Sequence, residues 1–242
     1  MLGSHPWQLL QSFSGFLKRI LAARWRSLLM LLIGVYVPLQ AFQLLAVEIG
    51  KNEGGLPWDA PIMMAIHATA QAQLDTFAAT LTHFGVFWGV FPVATVISLV
   101  LLRLRRWRAL SYLLITLLGS VAINRTAKLW LHRVRPSLWE YPPVSDYAFP
   151  SGHAMSSMTL VAALVILTWR TRWCGWILFS GSLFVVAIGW TRLYLGVHYP
   201  SDILAGWMVS VAWAIGVCLL IRPHLSRVTP ANDEQATTQQ QS

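Results

Sequence analysis

Charge is scarce in this chain. Of its 242 residues only 11% are Asp, Glu, Lys or Arg, against about 25% in an average soluble domain. That is too little polar material to cover a water-soluble protein of this size. Acids are the scarcest, nine against eighteen Lys and Arg. Cysteine is nearly absent, and Cys174 and Cys218 cannot build a disulfide framework. These shortages exclude an ordinary cytosolic enzyme and a secreted disulfide scaffold. A 56% apolar composition excludes a disordered chain. What remains is a membrane-embedded protein. The net charge of +9 then reads as cytoplasmic loops facing anionic lipid, not as a nucleic-acid surface.

Six apolar stretches approach the ~20 residues that a helix needs to cross hydrocarbon: residues 27–47, 84–102, 109–123, 154–169, 174–190 and 203–221. The third and fourth are short, and each borders polar segments that would line a pocket, where less lipid-facing length is needed. The expected fold is all-α, a six-transmembrane-helix bundle. Residues 1–26 have apolar positions at helical spacing around Lys18 and Arg19, which predicts a helix in the cytoplasmic interface. Residues 61–80 are amphipathic but too polar to span, and are expected on the outer surface. Residues 222–242 are expected to form a cytoplasmic, disordered tail. The apolar run of the first span is longer than a signal-peptide core, so it is read as uncleaved.

Loop charges orient the bundle. Twelve of the eighteen cations fall in the N-terminal arm, the 103–108 loop, the 170–172 loop and the segment after 221. That side is assigned to the cytoplasm, with both termini inside. The opposite side receives Lys51, Arg125, Lys128, Arg133, Arg135 and Arg192, with seven of the nine acids.

Three clusters lie on that outer side. In the first, Lys128 and Arg135 stand seven residues apart, which on a continued helix puts them on one face, ahead of a terminating Pro136. Two cations without a nearby acid would need an anionic ligand. His132 and Arg133 would face away, while Glu140 and Asp146 read as loop solvation. In the second, Ser151 is a good N-cap, Gly152 allows close approach, and His153 opens a helix whose N-terminus attracts anions. In the third, Pro200 suits a first helical turn, so His198 and Asp202 fall within hydrogen-bond reach. A carboxylate on one imidazole nitrogen leaves the other as nucleophile or base. Gly196 offers the break needed to bring Arg192 and His198 together. His5, His67, His83 and His224 read as ordinary interfacial residues. Metal binding at His153, His198 and Asp202 is disfavoured by the surrounding cations.

Lys128-x6-Arg135-Pro136, Pro150-Ser151-Gly152-His153 and Thr191-Arg192-x5-His198-x3-Asp202 together resemble the three-part signature of the type 2 phosphatidic acid phosphatase superfamily. The pattern is most similar to the family's bacterial membrane branch. The resemblance implies a metal-independent lipid phosphatase needing no cofactor. In it His198 forms a phosphohistidine with Asp202 holding its ring, and His153 acts as acid and then base. Lys128, Arg135, Arg192, Ser151 and Gly152 bind phosphate oxygens. Thr191 departs from the usual Ser but keeps a hydroxyl. Implied substrates are lipid monophosphates and diphosphates: undecaprenyl diphosphate, phosphatidylglycerophosphate and phosphatidate. The implied partners are membrane lipids and no nucleic acid, and the implied site faces the exterior of a bacterial inner membrane. The alternatives are a lipid phosphotransferase of the same superfamily and a non-enzymatic transporter of anionic lipids. A soluble haloperoxidase sharing the signature is excluded by the six spans.

Overall fold

A proline and a buried glycine explain how the first long helix breaks and packs. The structure is a computed structural model that describes residues 6–51, 55–139 and 146–224. Among the described residues there are nine α-helices and no strand: α1 Pro6–Leu31, α2 Val37–Lys51, α3 Asp59–His67, α4 Ala72–Thr82, α5 Val90–Arg103, α6 Trp107–Leu131, α7 Gly152–Thr168, α8 Cys174–Tyr194 and α9 Pro200–Ile221. The all-helical expectation holds.

Between α1 and α2 the helix continues as a π-turn, Leu32–Tyr36. Pro38 has no N–H to offer the Gly34 carbonyl one turn back, so regular i→i−4 pairing fails there. The helix widens instead, with Val37 N–H donating to Leu32 O. Gly34 is buried in this turn, and a Cβ on it would lie 2.6 Å from Ile215 Cδ1 of α9. α1 runs through residue 26 without interruption, so the arm and the first span are one helix. The tail beyond residue 224 lies outside the described residues.

Among the described residues, five stretches are long and apolar enough to cross a membrane: Leu21–Lys51, Ala72–Arg103, Trp107–Leu131, Cys174–Tyr194 and Pro200–Ile221. α7, the remaining expected span, is a shorter apolar helix of 17 residues. It packs against α6, α8 and α9 and buries Ala154, Met155, Ser157, Thr159, Leu160, Val161 and Ala163, so little of it is left to face lipid. Polar side chains pin this centre. Ser120 and Thr159 pair at 2.9 Å, Trp213 Nε1 donates to Thr116 O at 3.0 Å, and Tyr112 Oη donates to Ala214 O at 3.2 Å. The outer faces expose Leu44, Phe91, Leu118, Phe179 and Leu220, as lipid contact requires.

The 61–80 segment differs from the expectation of a simple surface helix. It divides into α3, docked on α8 and α9, and α4, docked on α8. α4 leads through a 3₁₀ turn, His83–Gly85, toward α5. Its start is tied down because Tyr194 Oη donates to Asp75 Oδ1 at 2.6 Å and accepts from Gln71 N at 3.2 Å. Both helices thereby cover the end of the bundle where α8 finishes and α9 begins.

Gly34→Val is expected to destabilise the protein by about 1–3 kcal/mol, the usual cost of overpacking, seen as a lower melting temperature in detergent. Adding Ile215→Ala should return most of that loss, because the clash is with that side chain.

Candidate active site

The three sequence clusters meet where α6 ends, α7 and α9 begin and α8 finishes. Lys128 lies in the last turn of α6 and is buried. The helix does not continue to Arg135. It stops at Leu131, with His132 in the left-handed region at φ 45° and its N–H on Lys128 O. The shared-face expectation for Lys128 and Arg135 is therefore corrected. Arg135 reaches the site from an irregular segment, donating from Nε to Asp146 O and from Nη1 to Val197 O, both at 2.7 Å. Off the helix the two arginines reach different partners, Arg133 the Asp59 and Asp202 carboxylates and Arg135 the Asp146 and Val197 carbonyls.

Asp146 is not loop solvation. It forms an ion pair with Lys128, and Lys128 also donates to Tyr147 O at 2.6 Å. The premise that the first cluster has no nearby acid is corrected with it. Partial burial works against the Asp146 charge, but the hydrogen bond and charge of Lys128 prevail and hold its carboxyl below the usual range. Glu140 lies outside the described residues.

His198 is 2% exposed in the turn between α8 and α9, where Gly196 adopts φ +71°. Its Nδ1 is 3.3 Å from Asp202 Oδ2 and its Nε2 is 3.1 Å from Arg135 Nη1. A guanidinium only donates, so Nε2 is the acceptor and Nδ1 carries the proton toward the carboxylate. The ring is thus held in the tautomer with a lone pair facing the cations. Burial, followed by the charges of Arg135, Arg192 and Lys128, pushes the His198 pKa well below that of a free imidazole.

Ser151 caps α7, its Oγ accepting from Ala154 N at 3.5 Å, while its own N–H donates to Asp202 O at 3.1 Å. The hydroxyl is fully buried. Asn124 of α6, which the sequence reading did not single out, donates to Pro150 O at 3.0 Å and so braces this turn beside Gly152. His153 follows and lies within electrostatic reach of Arg192, His198, Arg135 and His83. The 3₁₀ turn packs against it, since a Cβ on Gly85 would be 3.1 Å from His153 Cδ2, and Ser156 Oγ donates to Gly85 O at 2.6 Å. His83 is therefore a neighbour of the site. Arg192, in the last turn of α8, donates to Thr82 Oγ1 at 2.7 Å. The Thr191 hydroxyl donates to Ile188 O at 2.7 Å within its own helix, so the departure from Ser leaves the pocket's polar groups unaltered.

Arg133 does turn away from the Lys128–Arg135 side, but into a buried network and not to the surface. It donates from Nη1 to Asp202 Oδ1 and to Ser201 Oγ, the latter at 2.7 Å, and from Nη2 to Asp59 Oδ2 at 2.8 Å. Asp59 also accepts from Ser201 N, Ser201 Oγ and Leu56 N. No spacing rule links Asp59 to Arg133, 74 residues later. Among the described residues, no three His, Cys, Asp or Glu side chains form a group able to hold a metal ion.

The arrangement offers three cations, an oriented imidazole and a second imidazole within electrostatic reach of one another, at the starts of two helices whose amide ends favour anions. The model of the PAP2 superfamily matches residues 108–226, which contain all three clusters. The chain is 29% identical over 187 residues to the undecaprenyl-diphosphatase of Sulfolobus acidocaldarius, covering 76% of this chain and 83% of that protein. It is 31% identical over 173 residues to the lipid A 4'-phosphatase of Bacteroides thetaiotaomicron, covering 63% of this chain and 72% of that protein. The crystal structure of a transmembrane PAP2-type phosphatidylglycerolphosphate phosphatase from Bacillus subtilis superposes with a TM-score of 0.67 at 24% identity. It covers 81% of this chain and 100% of that one, and so has the same fold.

His198 is expected to titrate below pH 6.5, and more nearly at the free value in Arg135→Gln, where one repelling charge is gone. Nitrogen-15 NMR of labelled imidazoles would read both midpoints. An unshifted midpoint in the variant would contradict the assigned contact.

Proposed function

The chain belongs to the PAP2 superfamily, and from that premise we propose that it removes phosphate from lipid phosphates and diphosphates through a phosphohistidine on His198. The observation that carries this reading is the orientation of that ring, with Nδ1 on Asp202 and Nε2 turned to Arg135. Lys128, Arg135 and Arg192, with the Ser151 hydroxyl and the Gly152 amide, bind the non-bridging oxygens, and Arg135 passes from Nε2 to phosphate as substrate enters. The Nε2 lone pair forms the N–P bond while the P–O bond to the lipid breaks, and His153 protonates the departing oxygen. His153 then takes a proton from water, whose oxygen displaces His198 and releases inorganic phosphate. Fixed charges at the developing phosphoryl charge and an in-line nucleophile supply most of such an acceleration.

The relatives' names support lipid phosphates as the substrate class: an undecaprenyl diphosphatase and a lipid A phosphatase are both similar to this chain. Undecaprenyl diphosphate, phosphatidylglycerophosphate and phosphatidate are the candidates. With several helices long and apolar enough to cross, this is a multi-pass integral membrane protein. The loop charges favour an outward-facing site and cytoplasmic termini. A head group would sit in the pocket while its tail stays between helices.

Phosphate release from these three lipids by the purified protein tests the proposal. His198→Ala and His153→Ala are each expected to lose at least about a hundredfold in turnover while remaining folded. Near-normal activity in either would remove its assigned role. Transfer of the phosphoryl group to a lipid hydroxyl without phosphate release would mark a phosphotransferase instead. Turnover is also expected to survive EDTA and to be blocked by vanadate, which copies a five-coordinate phosphorus. Loss on chelation would overturn the metal-independent mechanism.

A further inference from the structure

Behind the reacting histidine lies a buried chain of charges that the phosphatase chemistry does not itself require. Asp59, Arg133 and Asp202 are respectively 0%, 6% and 0% exposed, and they alternate in sign. Each carboxylate edge has a separate duty. Asp202 Oδ1 is taken by Arg133, which leaves Oδ2 for Tyr199 N at 2.8 Å and for His198 Nδ1. The guanidinium is fixed on several sides. Ser201 and Asp202 hold Nη1, Asp59 holds Nη2, and the Tyr199 ring lies 4.2 Å from its Cζ. Gly55, at φ +91°, lets the chain turn closely around it, since a Cβ there would sit 3.0 Å from Nη2.

A buried ion pair is poor evidence of net stabilisation, because desolvation cancels most of the attraction. A planar fork that spans two carboxylates does, however, fix direction in a way that a point charge cannot. We propose that Arg133, aligned by Asp59, is a positioning residue that keeps Asp202 ionised and reserves its Oδ2 edge for His198. Without that guanidinium, Asp202 is a carboxylate buried without its nearest cation and takes up a proton more readily. Once protonated it can donate to Nδ1 as well as accept from it, so the charge-assisted bond that selects one tautomer of the imidazole is lost. α3 then has a catalytic purpose, since it carries Asp59 to the rear of the site.

The inference rests on His198 being the nucleophile, and its test keeps the two ideas apart. Arg133→Gln, Arg133→Lys, Asp59→Asn and His198→Ala would be purified as full chains, quantified as folded protein, and assayed for phosphate release across pH. The charged and titratable groups around Asp202 are Arg133, Asp59, His198, Tyr199 and Arg135. Those around His198 are Asp202, Arg135, Arg192, Lys128 and His153. Removing the Arg133 charge favours protonation of both Asp202 and His198, so the acid limb must move toward neutral pH. Arg133→Gln is expected to lose between about ten and a hundredfold in kcat, with KM changed less than about threefold. Arg133→Lys is expected to restore the acid limb but not kcat, which separates charge from orientation. Asp59→Asn should lower kcat as Arg133→Gln does, by less, with the acid limb unmoved or shifted to lower pH, because the charge it removes is negative and the Arg133 cation stays.

A kcat per folded molecule within twofold of wild type in Arg133→Gln, with an unmoved acid limb, would overturn the inference. So would a raised KM at constant kcat, which would make Arg133 a phosphate ligand. If the Arg133 variants do not fold, a folded Asp59→Asn with kcat within twofold of wild type overturns it equally. Full turnover in His198→Ala would instead defeat the site assignment and this inference together.

Discussion

A carboxylate sealed from water keeps its charge only if protein groups replace the solvent it gives up, and Asp202 is such a carboxylate. It accepts hydrogen bonds from Arg133, Tyr199 N and His198, and its own carbonyl receives Ser151 N–H from the start of α7. One residue therefore ties together the 132–137 segment, the turn after α8, α9 and α7. Its sequence position explains why it can do so. At the third position of a helix begun by Pro200, its side chain folds back on the N-cap amide through Oδ2, which leaves Oδ1 for the Arg133 guanidinium.

The rest of the pocket follows from where chains must end in a membrane. Irregular backbone is tolerated at depth only where protein lines it. Here the irregular segments 132–137, 147–151 and 195–199 gather at one end of the bundle. Phe149 anchors the second of these among Ile49, Phe42 and Ala205. Gly206 lets α9 pass close to the Ser151 carbonyl, which a Cβ there would approach to 3.2 Å. In the proposed reaction, this places cations beside a phosphate while hydrocarbon stays within reach of lipid-facing helices. A membrane phosphatase needs both at once.

The cation set is also restrained, and that bears on turnover. Lys128 is paired with Asp146, and Arg135 is bonded to the carbonyls of Asp146 and Val197. In the proposed reaction phosphate would have to compete for these cations, which would limit how tightly a dianion is held and so favour release of product. Arg192, fastened to Thr82 by its Nη1, links the site to α4 and to the turn that carries His83.

Local chemistry was legible in advance. Apolar runs marked the helices, Ser151 and Pro200 marked two helix starts, and the spacing of His198 and Asp202 marked their contact, because each depends on neighbours within a turn. The failures have one cause. Whether α6 continues past Leu131 depends on what Arg133 and Arg135 find outside it, and residues 61–80 look merely amphipathic until α8 and α9 are there to receive them. Asp59, Asn124 and Asp146 gave no signal, since a buried ion pair or a bracing amide between distant segments leaves no period to read. The sequence alone determined the membrane character, the all-helical fold and the candidate groups of the site. Only the tertiary structure decided which charges neutralise one another, because that depends on distances through space between segments far apart in the chain.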